Sequence, residues 1–343
     1  MTRSKLNRNT SRNLVLVVLV GLLATGLGGC GEKSNKITVA YVTNGVASFW
    51  TIAEKGAEAA AKEFDVEVDV LMPPNALAQE QKEMLENLIA KGVQGIAVSP
   101  IHGEHQTDLV NQCQETCPTI TQDSDAPSSK RLCYVGMDNY DAGRMCGKLV
   151  KEAVPNGGKI MIFVGRLSQA NAKGRRQGLI DELMDRSHDP KRWDAPGEPV
   201  SNDKYTILDT RTDNFNNAKA KANAEDTIAR HPDLACMVGL FAYNPPQCLE
   251  AIKGANKLNQ IKVVAFDEDD KTLAGIRDGT VHGTIVQDPY RYGYESVRIL
   301  AALARDDQSV LPENKFFDIP ARSVKKANLD EFWDQLKARL GTN

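Results

Sequence analysis

The chain of 343 residues is close to charge balance, with 42 basic against 45 acidic side chains and no long basic run, which argues against a nucleic-acid partner. Its length exceeds what one hydrophobic core usually serves, so two lobes are expected. Aromatic residues make up only 6% of the chain, so an aromatic in a predicted loop is more informative here than elsewhere.

In chain order, MTRSKLNRNTSRN carries Arg3, Lys5, Arg8 and Arg12 and leads into LVLVVLVGLLATGLGGC. These are the charged and apolar regions of an export signal. The run from Leu14 to Leu27 is about 14 residues, short of the roughly 20 that a membrane-spanning helix needs. Its end, LGGC at Leu27 to Cys30, resembles the bacterial lipobox. That resemblance implies a signal over 1–29, a lipid anchor at Cys30, a lipidated tether over 30–36, and a protein on the periplasmic face of a bacterial membrane. The alternative is a plain secretory signal with a chance cysteine. More than one acyl chain suffices for stable attachment.

Six further cysteines follow: Cys113, Cys117, Cys133, Cys146, Cys236 and Cys248. In an exported protein they favour disulfides over metal, and no CxxC pair or nearby histidine supports a zinc site. Cys117 and Cys133 each open a predicted strand, which makes them the disulfide candidate if those strands are parallel neighbours. Cys236 and Cys248 read as buried thiols.

From residue 37 short β-branched runs alternate with helical stretches: KITVAYV, TIAEKGAEAAAKEF, VEVDVLM, ALAQEQKEMLENLIAKG, VQGIAVSP, then a helix leading to PTITQD and the strand RLCYVGMDN. A second cycle runs from YDAGRMCGKLVKEAVP through GKIMIFVG, KYTILDT and LACMVGLF to IKVVAFD and GTVHGTIVQDP. The pattern predicts an α/β protein with two tandem doubly wound parallel-sheet lobes. The helix YRYGYESVRILAALAR is expected to return to the first lobe. In such sheets ligands bind beyond the carboxyl ends of the strands. The cleft lining is therefore predicted to be Phe49 and Trp50, Ser99, Asp123 to Asp125, the loop GRLSQANAKGR, the loop TRTDNF, Tyr243 and Asn244, Asp267 and Gln287. Amides, carboxylates and aromatic planes suit a polyol, whose hydroxyls donate and accept and whose C–H face packs on rings. The glycine turns and arginine pairs that a phosphate wants are scarce.

The succession SFW, QDSDAP, NAKGRRQG, DNF, YN, VVAFDEDD and TIVQDP resembles the type I periplasmic sugar-binding proteins of ABC importers, the ribose- and galactose-binding group, over residues 37 to about 320. The resemblance implies stacking aromatics at Phe49, Trp50 and Phe215, a first-lobe acid at Asp123, and Asn244, Asp267 and Gln287 in the second lobe; Ser99, from its place after a strand, and Lys173, standing where the family has an arginine, complete the expected ligand-binding set. It implies a first lobe of 37–137 plus 289–318, a second of 138–288 plus 319–343, and a three-segment hinge near Met137–Asn139, Gln287–Pro289 and Asp318–Arg322. It further implies a monomer without cofactor or metal that binds a monosaccharide or small polyol, hands it to an ABC permease, and is not an enzyme. The sequence departs from the ribose-type pattern at Ala47, Ser124 and Lys173; Asn171 or Asp125 is available to compensate.

Blander roles stand beside these. Phe49 and Trp50 also suit a core plug, Asp123 a turn, Gln287 hinge packing, and Lys173, Arg175 and Arg176 a charged helix face. Asp267 competes with Asp269 and Asp270 for the following helix cap. His102 to His105 is the wrong order for a zinc helix and reads as a loop. Two other functions share the cleft: a sugar sensor presenting its loaded form to a membrane receptor or kinase, and a glycoside-acting enzyme with paired acids. For the latter, no GxSxG elbow or Cys/His pair is present.

Overall fold

A computed structural model describes residues 36–341; the expected export signal, the expected anchor Cys30 and the expected tether up to residue 35 lie outside the described residues. The first run of elements is β1 (Thr38–Val42), α1 (Ser48–Glu63), β2 (Glu67–Leu71), α2 (Ala78–Lys91), β3 (Ile96–Val98), α3 (Thr107–Thr116), β4 (Thr119–Gln122) and β5 (Tyr134–Gly136). The second is α4 (Asn139–Ala153), β6 (Gly158–Val164), α5 (Ala170–Leu183), β7 (Val200–Ser201), β8 (Tyr205–Thr212), α6 (Asn217–Arg230), β9 (Leu234–Gly239), α7 (Asn244–Gly254), β10 (Lys262–Phe266), α8 (Asp270–Asp278) and β11 (Gly283–Val286). The chain closes with α9 (Pro289–Leu303), β12 (Phe316–Asp318), β13 (Arg322–Val324) and α10 (Leu329–Leu340).

Two sheets result. The first has the order β12-β5-β4-β3-β1-β2 and is parallel throughout. The second, β13-β11-β10-β9-β6-β8-β7, is parallel except at its edges, where β13 and β7 run antiparallel to their neighbours. Helices cover both faces of each sheet, so the central strands are apolar on both sides: Val39 to Val42, Ile160 to Val164 and Val263 to Phe266 are all buried. That is why these strands read as continuous apolar runs rather than alternating ones.

The chain passes between the sheets three times: after β5 into α4, after β11 into α9, and between β12 and β13. The first two passages end in helix caps. Asp138 accepts a hydrogen bond from the Asp141 amide at the start of α4, and Asp288, followed by Pro289, accepts one from the Arg291 amide at the start of α9. Each satisfies an otherwise orphaned helical N–H. As expected, α9 returns to the first lobe, where it packs on α1.

The helix pairs α1–α9 and α4–α5 approach closely through glycine. A Cβ added at Gly56 would lie 1.9 Å from the Tyr290 carbonyl oxygen, and one at Gly293 1.9 Å from that of Ala53. In the other pair the corresponding distances are 2.2 Å from Gly143 to Arg175 O and 1.9 Å from Gly178 to Tyr140 O.

The cysteine expectation is corrected. All six described cysteines are free and buried, and Cys117 and Cys133 are not joined. Their strands are indeed parallel neighbours, but Thr121 lies beside Tyr134, which sets Cys133 level with residue 120, roughly 10 Å along the strand from Cys117 at about 3.3 Å per residue. The two thiols also pack on opposite faces, Cys133 in the cluster under α1 and α9 and Cys117 in the cluster under α2 and α3. A disulfide needs its Cα atoms within about 7 Å.

Candidate ligand-binding site

The carboxyl ends of the strands in both sheets open on one cavity of about 100 Å³, enough for several waters where one needs about 10–15 Å³. On the first lobe it is lined by the Asn44–Ala47 turn after β1, by Phe49 and Trp50, and by Asp123. On the second lobe Gln169, Arg175, Phe215, Phe241, Tyr243 and Asp267 face it, and Gln287 stands at the passage into α9.

Phe49 and Trp50 occupy the first turn of α1. Their rings meet edge to face at 4.8 Å and 89°, and Phe49 also meets Tyr292 at 6.3 Å. With only 6% and 4% of their surface exposed they belong to the first-lobe core, yet both also border the cavity, so the core and ligand roles coincide. Three wall residues follow a strand in left-handed backbone: Asp123 (φ 56°) after β4, Phe215 (φ 64°) after β8 and Asp267 (φ 64°) after β10. Non-glycine residues in that region carry strain of order 1–3 kcal/mol. Here it turns each side chain from the sheet end toward the cavity.

Asp123 Oδ2 accepts hydrogen bonds from Ser99 Oγ (3.1 Å), Asn44 Nδ2 (3.3 Å) and, across the cleft, Asn171 Nδ2 (3.4 Å). Ser99 thus holds Asp123 from behind and does not line the cavity. Asp267 Oδ1 accepts from Gln287 Nε2 at 2.6 Å, and Gln287 Oε1 accepts from the Tyr292 hydroxyl at 3.1 Å. Asp269, not Asp267, caps α8. Burial pushes the Asp123 carboxyl up to about 6 against the opposing pull of Arg175, and burial raises Asp267 in the same direction.

Arg175 lies between the two acids. Its Nη2 is 4.0 Å from Asp123 Oδ1 and its Nη1 3.7 Å from Asp267 Oδ2. The guanidinium is locked by hydrogen bonds from Nε to Asn139 Oδ1 and from Nη1 to Leu240 O, both 3.0 Å, and by the Phe266 ring 4.3 Å away. Nη2 has no hydrogen-bond partner among the described residues, nor do Oε1 and Nε2 of the buried Gln169.

Lys173, expected at the ligand, is outside the cavity: its Nζ pairs with Glu104 of the first lobe at 2.9 Å. The cause is helical phase. Two residues apart on α5 is about 200° of rotation at 3.6 residues per turn, so when Arg175 faces inward Lys173 faces out. The charged-face reading of Arg175 and Arg176 is likewise corrected, since both are buried; Arg176 donates from Nε to Thr210 Oγ1 at 2.7 Å and lies over the Trp193 ring. Asn244 too is a supporting residue, donating to Asp213 Oδ2 at 2.9 Å, while its neighbour Tyr243 borders the cavity and donates to Asp213 Oδ1. Of the two compensating residues named from sequence, Asn171 reaches Asp123 and Asp125 instead pairs with Arg131. Asn44 and Phe241 lie outside the predicted lining, and Gln169 falls in it only as a member of the loop GRLSQANAKGR. Their only signal was a place in a strand-to-helix loop.

The Asp123 environment makes a stability prediction. Its folded value of about 6 lies above the ordinary 3.8, so the stabilisation from its proton is full below pH 3.8 and lost as pH rises through 6. Asp123→Asn is therefore expected to stabilise the unliganded protein at pH 7 by on the order of 1–3 kcal/mol. The difference should fade by pH 4, as melting curves at the two pH values will show.

Two sheets that meet at their carboxyl ends around a cavity lined from both, with a threefold chain passage between them, define a two-lobed ligand-binding protein. The chain belongs to the periplasmic binding protein domain family, which matches residues 37–308. It is 23% identical over 261 residues to the ribose import binding protein of Bacillus subtilis, covering 76% of this chain and 77% of that one. The ribose import binding protein of Haemophilus influenzae is 23% identical over 283 residues, 81% of this chain and 89% of that one. Among solved structures, a carbohydrate transporter solute binding protein from Agrobacterium radiobacter, in complex with D-arabinose, superposes with a TM-score of 0.78 at 22% identity over 90% of this chain and 99% of that one. The architecture is that of a type I periplasmic binding protein.

Proposed function

We propose that this is an extracytoplasmic solute-binding lipoprotein, anchored through Cys30, that takes a monosaccharide or similar small polyol between its lobes and delivers it to the permease of an ABC transporter. The observation that carries this reading is the convergence of Asp123 and Asp267, one from each lobe, on a cavity walled by Phe49, Trp50, Phe215 and Phe241. Carboxylates accept from hydroxyls while ring faces take the C–H side of a sugar. The unpartnered Gln169 amide and Arg175 Nη2 add the donors that hydroxyl oxygens require. The ribose-binding relatives and the arabinose-bound structure support the same class of ligand. A ligand touching both walls favours the closed arrangement, with motion at the passages near 137–139, 287–289 and 318–322.

The test is titration of the purified full chain in detergent with a panel of free sugars, followed by tryptophan fluorescence and melting temperature. A saturable response to at least one sugar is expected, and silence across the panel with the fold intact would sink the sugar assignment. Asp267→Ala and Phe49→Ala are each expected to weaken the bound sugar by about 2 kcal/mol, roughly 30-fold in Kd. Calorimetry on the two variants measures that loss.

A further inference from the structure

Resting on the polyol reading above, we infer that the ligand carries a protonated amine on its polyol frame, as an amino sugar or an aminocyclitol does. The argument begins with charge. Asp123 and Asp267 are 4% and 3% exposed, and among the described residues Arg175 is the one cation lining the cavity with them. Held by Asn139, Leu240 and Phe266, that guanidinium stands 4.0 and 3.7 Å from the two carboxylates and hydrogen-bonds to neither. Arg166 is not among the lining residues: it lies over the Phe215 ring and donates to Ala76 O at 3.1 Å. With both acids ionised, the cavity carries one negative charge more than positive, and an uncompensated buried charge is costly.

Hydrogen-bonding capacity leans the same way. Asp123 Oδ1 accepts no hydrogen bond from the described residues, and Asp267 Oδ2 has Arg175 at 3.7 Å, with the Ala242 amide near this carboxyl. Gln169 Oε1 is a further acceptor without a partner. Against these oxygens, each with two lone pairs, stand two buried nitrogens without a partner among the described residues, Arg175 Nη2 and Gln169 Nε2, which carry four N–H groups between them. The Gln287 amide is already turned to Asp267 and the Tyr243 hydroxyl to Asp213. A hydroxyl brings one donor and two lone pairs, whereas an ammonium group brings three donors, no acceptor and a positive charge. An ammonium in the cavity within reach of these carboxylates corrects both imbalances at once. Phe49 and Trp50, which line the same cavity as Asp123, are aromatic rings of the kind that also attract a cation.

The experiment sets matched triplets against the full chain in detergent by calorimetry: glucose, galactose and mannose, their 2-amino forms, and their N-acetylated forms, in which the amine is neutral. The expected result is at least one amine binding tenfold or more tightly than its hydroxyl parent, with the gain lost on acetylation and the amine-to-hydroxyl ratio falling toward one in Asp267→Asn. A hydroxyl parent that binds as well as or better than its amine, or a ratio unchanged in Asp267→Asn, overturns the amine inference and leaves the sugar reading standing. Silence from all nine compounds while a sugar of the wider panel still binds overturns the amine inference alone; silence from that panel as well, with the melting curve intact, overturns both.

Discussion

Arg175→Met is expected to lower stability at pH 7 by about 3–5 kcal/mol and to abolish ligand binding. Arg175 is fully buried and lies between Asp123 and Asp267, and removing one partner from a buried charge arrangement leaves the others uncompensated. Its two hydrogen-bond acceptors, Asn139 Oδ1 and Leu240 O, lose their donor as well. The pH dependence identifies the cause. Arg175 pulls both carboxyls downward against burial, so without it both take up protons at higher pH and the ionised pair is no longer enforced. The deficit should therefore be largest at pH 7 and above, and should shrink as the pH falls through about 6, where protonated Asp123 needs no counter-charge. Adding Asp267→Asn to Arg175→Met should recover part of the stability without recovering binding. Urea denaturation of the single and double variants above and below about pH 6 tests this. A loss below about 1 kcal/mol for the single variant would contradict a charge-balancing role, given what breaking a buried pair usually costs.

Gly178→Ala is expected to cost about 3 kcal/mol or more and to weaken binding with it. The added methyl would sit 1.9 Å from Tyr140 O and 2.9 Å from Arg144 N. These are backbone atoms of α4 and cannot rotate away, so α5 itself must move. Overpacking of this kind typically costs 1–3 kcal/mol and sometimes more. The same helix carries Asn171 and Arg175, so a shift of α5 misplaces the groups that reach Asp123 and Asp267. Gly254→Ala is the control. Nothing lies within 4 Å of its added methyl, and at the end of α7 alanine is expected to be neutral or to stabilise by up to about 1 kcal/mol. Thermal melts of the two variants side by side separate close packing from intrinsic helix preference.

Much of the architecture was legible in the chain because it is written locally. Runs such as KITVAYV and IKVVAFD bury both faces of a parallel strand, and the intervening polar-apolar stretches have helical period, so the strand-helix alternation and the location of the cleft at the strand ends follow from short-range pattern. The residues that directly follow a strand, Asp123 and Asp267, and the aromatics opening α1 were found for the same reason: their position beyond a sheet end is a one-dimensional property.

The sequence alone misplaced what depends on rotation and long-range packing. Lys173 and Arg175 are two positions apart in one motif, and composition says nothing about which of them turns inward; the glycine contacts that seat α5 on α4 set that phase. Ser99 and Asn244 occupy the predicted strand ends but point at Asp123 and Asp213 rather than into the cavity, since a carboxylate buried beside them must be hydrogen-bonded. Cys117 and Cys133 open neighbouring parallel strands, yet register and the two-sided pleat keep their sulfurs apart. Strand and helix identity is a sum of local preferences, whereas the direction in which a given atom points is settled by contacts between segments far apart along the chain.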